Sequence, residues 1–434
     1  MSSAPPREGK PARPEHAVDA AAPKGAMAVL FLIVFVDLMG FGIIIPLLPR
    51  YVPNFTENAL KVTLLFSIFS VCQFVGAPVL GALSDRYGRK PVLVVSQFGS
   101  AIGYLLLALA TQIEWSNPGT RLALVYASRV IDGFTGGNIS TAQAYVSDVT
   151  TPQNRAKGMG VLGAAFGIGF TAGPFLGGFL GHYHVSWPAY VAAAFSAGAA
   201  VLSLLLLKEP RRHAPVEAMV WLHPSRFGPI LRRPVLPQLL LISFFIMASF
   251  VMMESTVTMF LDARFGYKEK QVGLFFGFVG LVIVVVQGGL IGRVTRLLGE
   301  WTPAVGGCLL VALGMALFTV TAFEPFLWVL LAGGAVNAAG RSLQQPTISS
   351  LISKFSDPRD QGVVFGLFHG MGSLARVVGP LVAGLAYPYL NHAGQFVLAG
   401  AIAVAMALWT AALRQPAPHE SAPDAAAQGA META

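Results

Sequence analysis

The chain has 434 residues, of which 54% are hydrophobic and only 12% are charged. Soluble globular domains carry about a quarter charged residues, so this composition excludes a protein with a water-exposed surface throughout. The formal net charge of +8 could suggest a nucleic-acid partner, but the basic residues follow a membrane-topology pattern described below, and no nucleic acid is expected.

Twelve apolar segments, each long enough to cross a bilayer as a helix, follow one another between Met27 and Leu413. We expect an all-α integral membrane protein with 12 transmembrane helices in two pseudo-symmetric six-helix bundles. The predicted spans are residues 27–49, 62–83, 91–112, 121–147, 157–181, 187–207, 237–261, 271–292, 303–322, 326–350, 361–386 and 394–413.

The boundaries of these spans also predict the domain organisation. Residues 26–207 and 237–414 form the two bundles, and residues 208–236 form a cytoplasmic linker that holds several arginines. Residues 1–25 and 415–434 are rich in Pro, Ala and charge and lack an apolar core, which predicts disordered tails.

The distribution of basic residues predicts the orientation in the membrane. Lys and Arg concentrate in the tails and in every second connection, and cytoplasmic loops carry this excess in membrane proteins. Both termini are therefore expected in the cytoplasm. Of the 29 basic residues, the outer connections hold only Arg50, Lys61, Arg121, Arg264, Lys268 and Lys270.

Asp37 in the first span is the first candidate for a proton carrier. It lies about ten residues from the cytoplasmic edge, roughly 15 Å deep at ~1.5 Å per residue and close to the bilayer centre. A charge there costs about 2.5 to 3.5 kcal/mol on insertion scales, so Asp37 should face a cavity or a partner. Burial also disfavours the ionised carboxyl, which suits a group that binds and releases protons.

A decapeptide follows the second span: Gly81-Ala82-Leu83-Ser84-Asp85-Arg86-Tyr87-Gly88-Arg89-Lys90. Gly81 and Gly88 permit tight turns and close helix approach, and Asp85 can pair with Arg or accept hydrogen bonds from a helix N-terminus. This segment resembles the loop signature of the major facilitator superfamily, in which it latches the two halves on the cytoplasmic side. A solvated basic loop that only sets topology is the alternative interpretation.

Asp148, at the inner end of the fourth span, matches the position that pairs with the loop arginines in that family. The resemblance therefore implies one charge network of Asp85, Arg89 and Asp148. Within the fourth span, Arg129 and Asp132 lie three residues apart on one helix face. They are candidates for the cavity, or form a self-neutralising pair that only lowers the cost of burial.

The fifth span contains Gly169 and the run Gly173-Pro174-Phe175-Leu176-Gly177-Gly178, which resembles the signature of proton-coupled exporters in the superfamily. Small residues let helices pack backbone to backbone, and Pro174 permits a kink. Generic small-residue packing is the alternative. The second half echoes the first, with Gly288–Arg293 after the eighth span and Gly379-Pro380 in the eleventh, as expected of an internal duplication.

Other polar side chains inside the spans are candidates for the cavity by default. The three intramembrane acids, Asp37, Asp132 and Glu254, equal the three arginines in number, which predicts a nearly neutral cavity with every charge partnered. That balance leaves room for anionic or zwitterionic substrates. The remaining candidates are Arg341, His369, Arg376, Gln73, Gln344 and Gln345.

The stretch Val36–Gly42 followed by Pro46–Pro49 resembles the first span of tetracycline/proton antiporters and their multidrug relatives, and the likeness extends over almost the whole chain. It implies a secondary transporter that exports small amphipathic organic molecules in exchange for protons by alternating access. The acid that tetracycline antiporters use in the third span is absent, with Gly103-Tyr104 in that neighbourhood, which makes tetracycline itself a doubtful substrate.

Two alternatives to proton-coupled export stay open: an importer or facilitated carrier of one metabolite without proton coupling, and a transporter-like receptor or structural membrane protein. The sequence has no P-loop, which argues against ATP as the energy source. We expect no enzymatic activity, no cofactor and no metal site. The expected partners are a small-molecule substrate, protons and lipid, with a functional monomer in a bacterial inner membrane.

Overall fold

The computed structural model describes residues 25–52, 59–114, 117–150, 152–210, 233–357 and 361–413. Within these ranges all regular structure is helical. The predicted tails lie outside the described residues apart from Gly25, and so do residues 211–232 of the predicted linker.

Twelve long helices, named α1 to α12 in chain order, lie on the predicted spans. The helix α1 combines Ala26–Ile44, Ile45–Leu47 and Leu48–Tyr51, and α4 combines Pro118–Thr135, Gly136–Asn138 and Ile139–Val149. The helix α8 combines Glu269–Val285, the π-helical Val286–Leu290 and Ile291–Leu298. The others are α2 Ala59–Tyr87, α3 Arg89–Gln112, α5 Pro152–Gly181, α6 Trp187–Leu206, α7 Leu236–Phe265, α9 Trp301–Thr321, α10 Leu327–Lys354, α11 Gln361–Ala386 and α12 Gly394–Ala412.

Among the described residues, 10 of these helices are long and apolar enough to cross a membrane by length and composition. The other two are α4 and α10, which carry Arg129, Asp132 and Arg341 at their middles. Polar residues in the middle of a span lower its hydropathy, and they survive only where neighbouring helices shield them from lipid. The two most polar helices are therefore the ones expected to face the protein interior.

The two halves use the same packing scheme. In the first half α1 packs against α5 and α6, α3 packs against α4 and α6, and α2 packs against α4. In the second half α7 packs against α11 and α12, α9 packs against α10 and α12, and α8 packs against α10. The halves meet along two seams, α5 with α8 and α2 with α11. The fold therefore consists of two pseudo-symmetric six-helix bundles.

The two ends of the molecule differ. At the end that bears the α1–α2 and α7–α8 connections, the closed end, Arg50 Nε lies 2.9 Å from Glu269 Oε1 of the other half. A cavity of about 10 Å³ beside Arg50 has room for about one water molecule. At the opposite end, the basic end, Cβ atoms added to Gly163 of α5 and Gly288 of α8 would meet nothing within 4 Å. The halves are therefore in contact at the closed end, and the seam between α5 and α8 is open at these two positions of the basic end.

The segment Gly81–Lys90 differs from the predicted loop. The helix α2 continues through Tyr87, Gly88 alone is non-helical, and α3 begins at Arg89. Gly88 has φ +112°, a conformation that residues with a side chain rarely adopt. Gly81 lies inside α2 and makes no turn. Continuous helix forms on both sides of Gly88 because this one residue supplies the whole change of direction.

Candidate functional site

Asp37 lies on the inner face of α1 against α3. Its Oδ1 accepts a 2.7 Å hydrogen bond from Gln97 Nε2, whereas Oδ2 is buried without a hydrogen-bond partner among the described residues. Asn138, in the short 3-10 turn of α4, lies beside Asp37, and neither of its amide atoms has a partner in the described part of the chain. This arrangement gives the carboxyl a donor on one oxygen and leaves the other free to carry a proton.

Arg129 and Asp132 form a closed pair. Arg129 Nη1 lies 3.1 Å from Asp132 Oδ2, and both side chains are only 3% exposed. The Tyr104 ring lies under the guanidinium at 5.5 Å. Of the two interpretations left open by the sequence, this geometry favours the self-neutralising pair, since neither charge reaches the open cavity.

The second half holds a different arrangement. Glu254 of α7 is 5% exposed and lies within electrostatic range of Arg341 of α10 and Arg376 of α11. Within the described chain neither arginine forms an ion pair with it, and Glu254 Oε1 is buried without a hydrogen-bond partner. The expectation that every intramembrane charge is partnered is therefore wrong for this cluster, because the three side chains approach from three helices that do not bring them into contact.

An aromatic bridge connects the two halves beneath these groups. The ring centroids of Phe41 and Phe170 lie 6.4 Å apart, and Phe170 lies at the same distance from Phe250 of the second half. Arg341 stacks over the Phe250 ring at 4.4 Å. Phe41 follows Asp37 by one helical turn toward the closed end, so the rings form an apolar floor below Asp37.

The four remaining cavity candidates lie in different environments. Gln73 donates to the Gly136 carbonyl at 3.1 Å and fixes α2 to α4. Gln344 is buried and packs against Gly307 of α9, while Gln345 is exposed. His369 is exposed on α11, on the basic side of Arg376. Of these four side chains Gln345 and His369 are exposed, and each lies toward the basic end from the arginine of its own helix.

Arg89 is the centre of the predicted charge network. Its Nη1 lies 2.6 Å from Asp85 Oδ1 and its Nε lies 2.9 Å from Asp148 Oδ2. The three residues are therefore in contact, as the family resemblance implies. Arg86 instead stacks on the neighbouring Tyr87 ring, and Lys90 takes part through its backbone N–H.

Glu209, at the start of the predicted linker, completes this network. Its carboxylate accepts hydrogen bonds from the backbone N–H groups of Arg89, at 2.6 Å, and Lys90, at 2.9 Å. A carboxylate at this place stabilises the N-terminus of α3. A Cβ on Gly88 would lie 2.7 Å from the Glu209 carboxyl carbon, so the glycine is also needed for this contact.

The second half has a weaker counterpart of the latch between the α8–α9 turn and α10. Lys354 Nζ lies 2.6 Å from Glu300 Oε2, and the Ser350 hydroxyl donates to Glu300 Oε1 at 2.7 Å. Partial burial raises the pKa of Glu300, but the hydrogen bonds from Lys354 and Ser350 outweigh it and hold the pKa below its usual value. The Glu300 carboxylate is therefore ionised at neutral pH and ties the turn to α10.

The glycines of the α5 motif are packing positions. A Cβ added to Gly169 or Gly173 would lie 2.8 Å or 2.6 Å from the carbonyl oxygens of Phe35 and Met39 in α1, and one on Gly177 would collide with the Ile43 carbonyl. Gly178 faces the other way, against Gly273 of α8. Pro174 packs on Gly42. The motif therefore holds α5 between α1 and the second half.

Sequence reasoning missed Gln97, Asn138 and Glu209 as members of these sites. Gln97 and Asn138 are polar residues inside spans, the signal that singled out Gln73, and could have been found the same way. Glu209 carries no such signal. Its role depends on the end of α6 lying beside the start of α3, and this contact joins parts of the chain that are far apart in sequence. Within the described residues there is no group of three or more His, Cys, Asp or Glu side chains that could hold a metal ion.

Comparison with known proteins identifies the family. The family model of the Major Facilitator Superfamily matches residues 30–329 and 309–432. The tetracycline resistance protein, class H, of Pasteurella multocida is 30% identical over 402 residues, which cover 90% of this chain and 96% of that protein. Major facilitator superfamily domain-containing protein 10 of Bos taurus is also 30% identical and covers 83% of this chain and 87% of its own.

Solved structures show the same fold. The human organic anion transporter MFSD10 (TETRAN) aligns with a TM-score of 0.65 at 27% identity, over 89% of this chain and 99% of its own. The nucleoside transporter NupG aligns with a TM-score of 0.70 at 15% identity. The chain belongs to the major facilitator superfamily and is a multi-span membrane transporter.

Proposed function

We propose that this protein is a proton-coupled secondary transporter that exports small amphipathic organic molecules by alternating access. The carrying observation is the Asp37 carboxyl, with one oxygen hydrogen-bonded to Gln97 and the other buried and unpartnered among the described residues. The names of the tetracycline and multidrug resistance relatives support export of drug-like compounds. The relatives differ in substrate, so they do not choose one for this chain.

In this proposal Asp37 alternates between a protonated and an ionised form as the molecule opens at its two ends. The open basic end faces the cytoplasm, because it carries most of the Lys and Arg residues. Substrate enters there from the cytoplasm or inner leaflet, and the protein then opens at the closed end. Both termini are cytoplasmic, the membrane is a bacterial inner membrane, and the monomer is the working unit.

One proton per cycle is energetically sufficient. A proton that moves inward across about 100 mV contributes about 2.3 kcal/mol, and a gradient of one pH unit adds about 1.4 kcal/mol. Together these drive a substrate gradient of several hundred-fold. A single buried carboxyl can therefore energise export.

The proposal is tested with Asp37→Asn in everted membrane vesicles that carry an internal pH-sensitive dye. Addition of a transported compound, with tetracycline in the panel, should release protons from wild-type vesicles and release none from the variant. Asp357→Asn, which removes an exposed acid paired with Arg233 at the basic end, is the matched control and should behave as wild type.

Two outcomes would contradict the proposal. Normal proton release from folded Asp37→Asn protein would exclude Asp37 as the coupling group. Transport by wild-type protein that persists undiminished with an uncoupler would instead identify a facilitated carrier.

A further inference from the structure

Neither half of the protein has equal numbers of acidic and basic side chains inside its spans. In the first half Arg129 is paired with Asp132, which leaves the single carboxyl of Asp37. In the second half Glu254 stands against two guanidinium groups, those of Arg341 and Arg376. With every group ionised, the second-half cluster therefore carries one positive charge in excess.

No other described carboxylate of the second half is available to balance this cluster. Asp262 and Glu269 bind Arg50 at the closed end. Asp357 binds Arg233, and Glu300 binds Lys354, both at the basic end. Glu324 is exposed in the α9–α10 connection at the closed end. An uncompensated charge at membrane depth is costly unless it is met by water or by a counter-ion. The cluster is thus built to receive a negative group from outside the chain.

The two arginines are more accessible than the acid of the cluster. Arg341 and Arg376 are both partly exposed, whereas Glu254 is almost completely buried behind them. Within the described parts of the chain the Met247 sulfur, at 2.8 Å, is the one polar partner given for Arg341 Nη2, and the guanidinium is held over the Phe250 ring. An entering anion therefore meets the two guanidinium groups before it meets the carboxylate.

Apolar rings adjoin these charges. Phe250 continues through Phe170 to Phe41 in the aromatic floor, which spans both halves. A flat apolar body can lie on this floor while an acidic group points into the second half. Beside Phe250 a cation would meet the two arginines first, since Glu254 is buried behind them.

We propose that Arg341 and Arg376 bind the anionic group of an amphipathic organic anion, whose apolar body packs on Phe170 and Phe250. Glu254 is the resident competitor for the two guanidinium groups and weakens binding. This assignment rests on the proposed transport function and names the substrate class for it. An organic carboxylate and a small inorganic anion share the required chemistry, and the experiment separates them.

The test measures binding to the purified full-length protein in lipid nanodiscs by thermal shift and equilibrium dialysis. Three probes share one naphthalene body: 1-naphthoate, the neutral 1-naphthamide and the cationic 1-naphthylmethylammonium. We expect 1-naphthoate to bind at least about tenfold more tightly than the other two, because charged pairs in buried sites contribute strongly to affinity. Potassium chloride should compete only weakly.

Three variants locate the site. Arg376→Gln and Arg341→Gln should each lower 1-naphthoate affinity by roughly thirtyfold or more and leave 1-naphthamide binding unchanged. Glu254→Gln should raise 1-naphthoate affinity, since it removes the competitor. Arg296→Gln, at the basic end of α8, removes the same charge elsewhere and should have no effect. The double variant Arg341→Gln with Glu254→Gln keeps the wild-type excess of one positive charge and is used if a single arginine variant does not fold.

The results of the binding experiment can be distinguished from those of the proton-release experiment with Asp37→Asn. Equal binding of all three probes, a preference for the cation, or stabilisation by chloride alone would overturn the anion site. If these results accompany loss of proton coupling in Asp37→Asn, the transporter proposal stands and only the substrate class fails. If 1-naphthoate binds as expected but drives no proton release from wild type, the anion site stands and the coupling proposal fails.

Discussion

Single residues in α5 show how closely the first half is packed. Gly169, Gly173 and Gly177 are spaced four residues apart, so they lie on one face of the helix, and each faces a carbonyl oxygen of α1. Gly167 lies on another face, where an added Cβ would meet nothing within 4 Å. A methyl group should therefore be tolerated at one glycine and not at another of the same helix.

We expect Gly177→Ala to destabilise the protein by about 1–3 kcal/mol, because overpacking of a filled interior costs that much. Gly167→Ala should change stability by less than about 0.5 kcal/mol. Thermal unfolding in detergent, followed by tryptophan fluorescence, measures both. Equal stability of the two variants would show that α1 and α5 are less closely packed than the structure has them.

At the scale of the helix, α5 and α8 form an antiparallel seam of which only part is closed. Gly178 contacts Gly273, and Thr171 contacts Gly280. Eight residues further toward the basic end, the same register places Gly163 opposite Gly288, and both positions are open in this structure. The π-helical Val286–Leu290 adds one residue at this point, which brings Gly292 opposite Gly160.

We expect these glycines to meet when the basic end closes. In a background without Cys72 and Cys308, Gly163→Cys with Gly288→Cys should form a disulfide on oxidation during turnover and should stop transport until it is reduced. The pair Gly163→Cys with Leu297→Cys is the control, since Leu297 is 81% exposed on α8. A disulfide in the control pair would contradict the register that places Gly163 opposite Gly288. So would the absence of any disulfide in vesicles that transport.

At the scale of the molecule, the balance between the two open states depends on contacts that cross between halves. The Arg50 contacts with Asp262 and Glu269 cross at the closed end. The Arg89 network does not reach the second half in this state, since Asp85 and Asp148 belong to the first half and Glu209 to the start of the linker. A ligand or variant shifts such an equilibrium only through contacts that differ between the states.

We therefore expect Asp262→Asn with Glu269→Gln to favour the state that is open at the closed end. Thr258→Cys, whose native residue lines the small cavity beside Arg50, should then react several-fold faster with a membrane-impermeant maleimide. Lys268→Gln is the control, because Lys268 binds Asp262 within its own half. An unchanged labelling rate in the double variant would mean that Arg50 does not hold this end closed.

Much of the architecture follows from the sequence because the bilayer limits what a chain can do. Apolar runs of spanning length, the bias of basic residues and the paired motifs predicted all-helical bundles, and the structure and family confirm that fold. The position of Asp37 and the contact of Arg89 with Asp85 and Asp148 were also expected. Spacing along one helix also offered the pairing of Arg129 with Asp132 as one of two interpretations, and the structure favours it.

Tertiary structure alone decided which other charges are paired. Glu254, Arg341 and Arg376 lie on three helices far apart in sequence, and equal numbers of acids and arginines predicted partners that the packing does not provide. The contacts of Gln97 with Asp37 and of Glu209 with the start of α3 likewise depend on how distant helices meet. Composition sets the number of charges in a membrane protein, whereas the distances between helices set which of them remain free to bind a ligand.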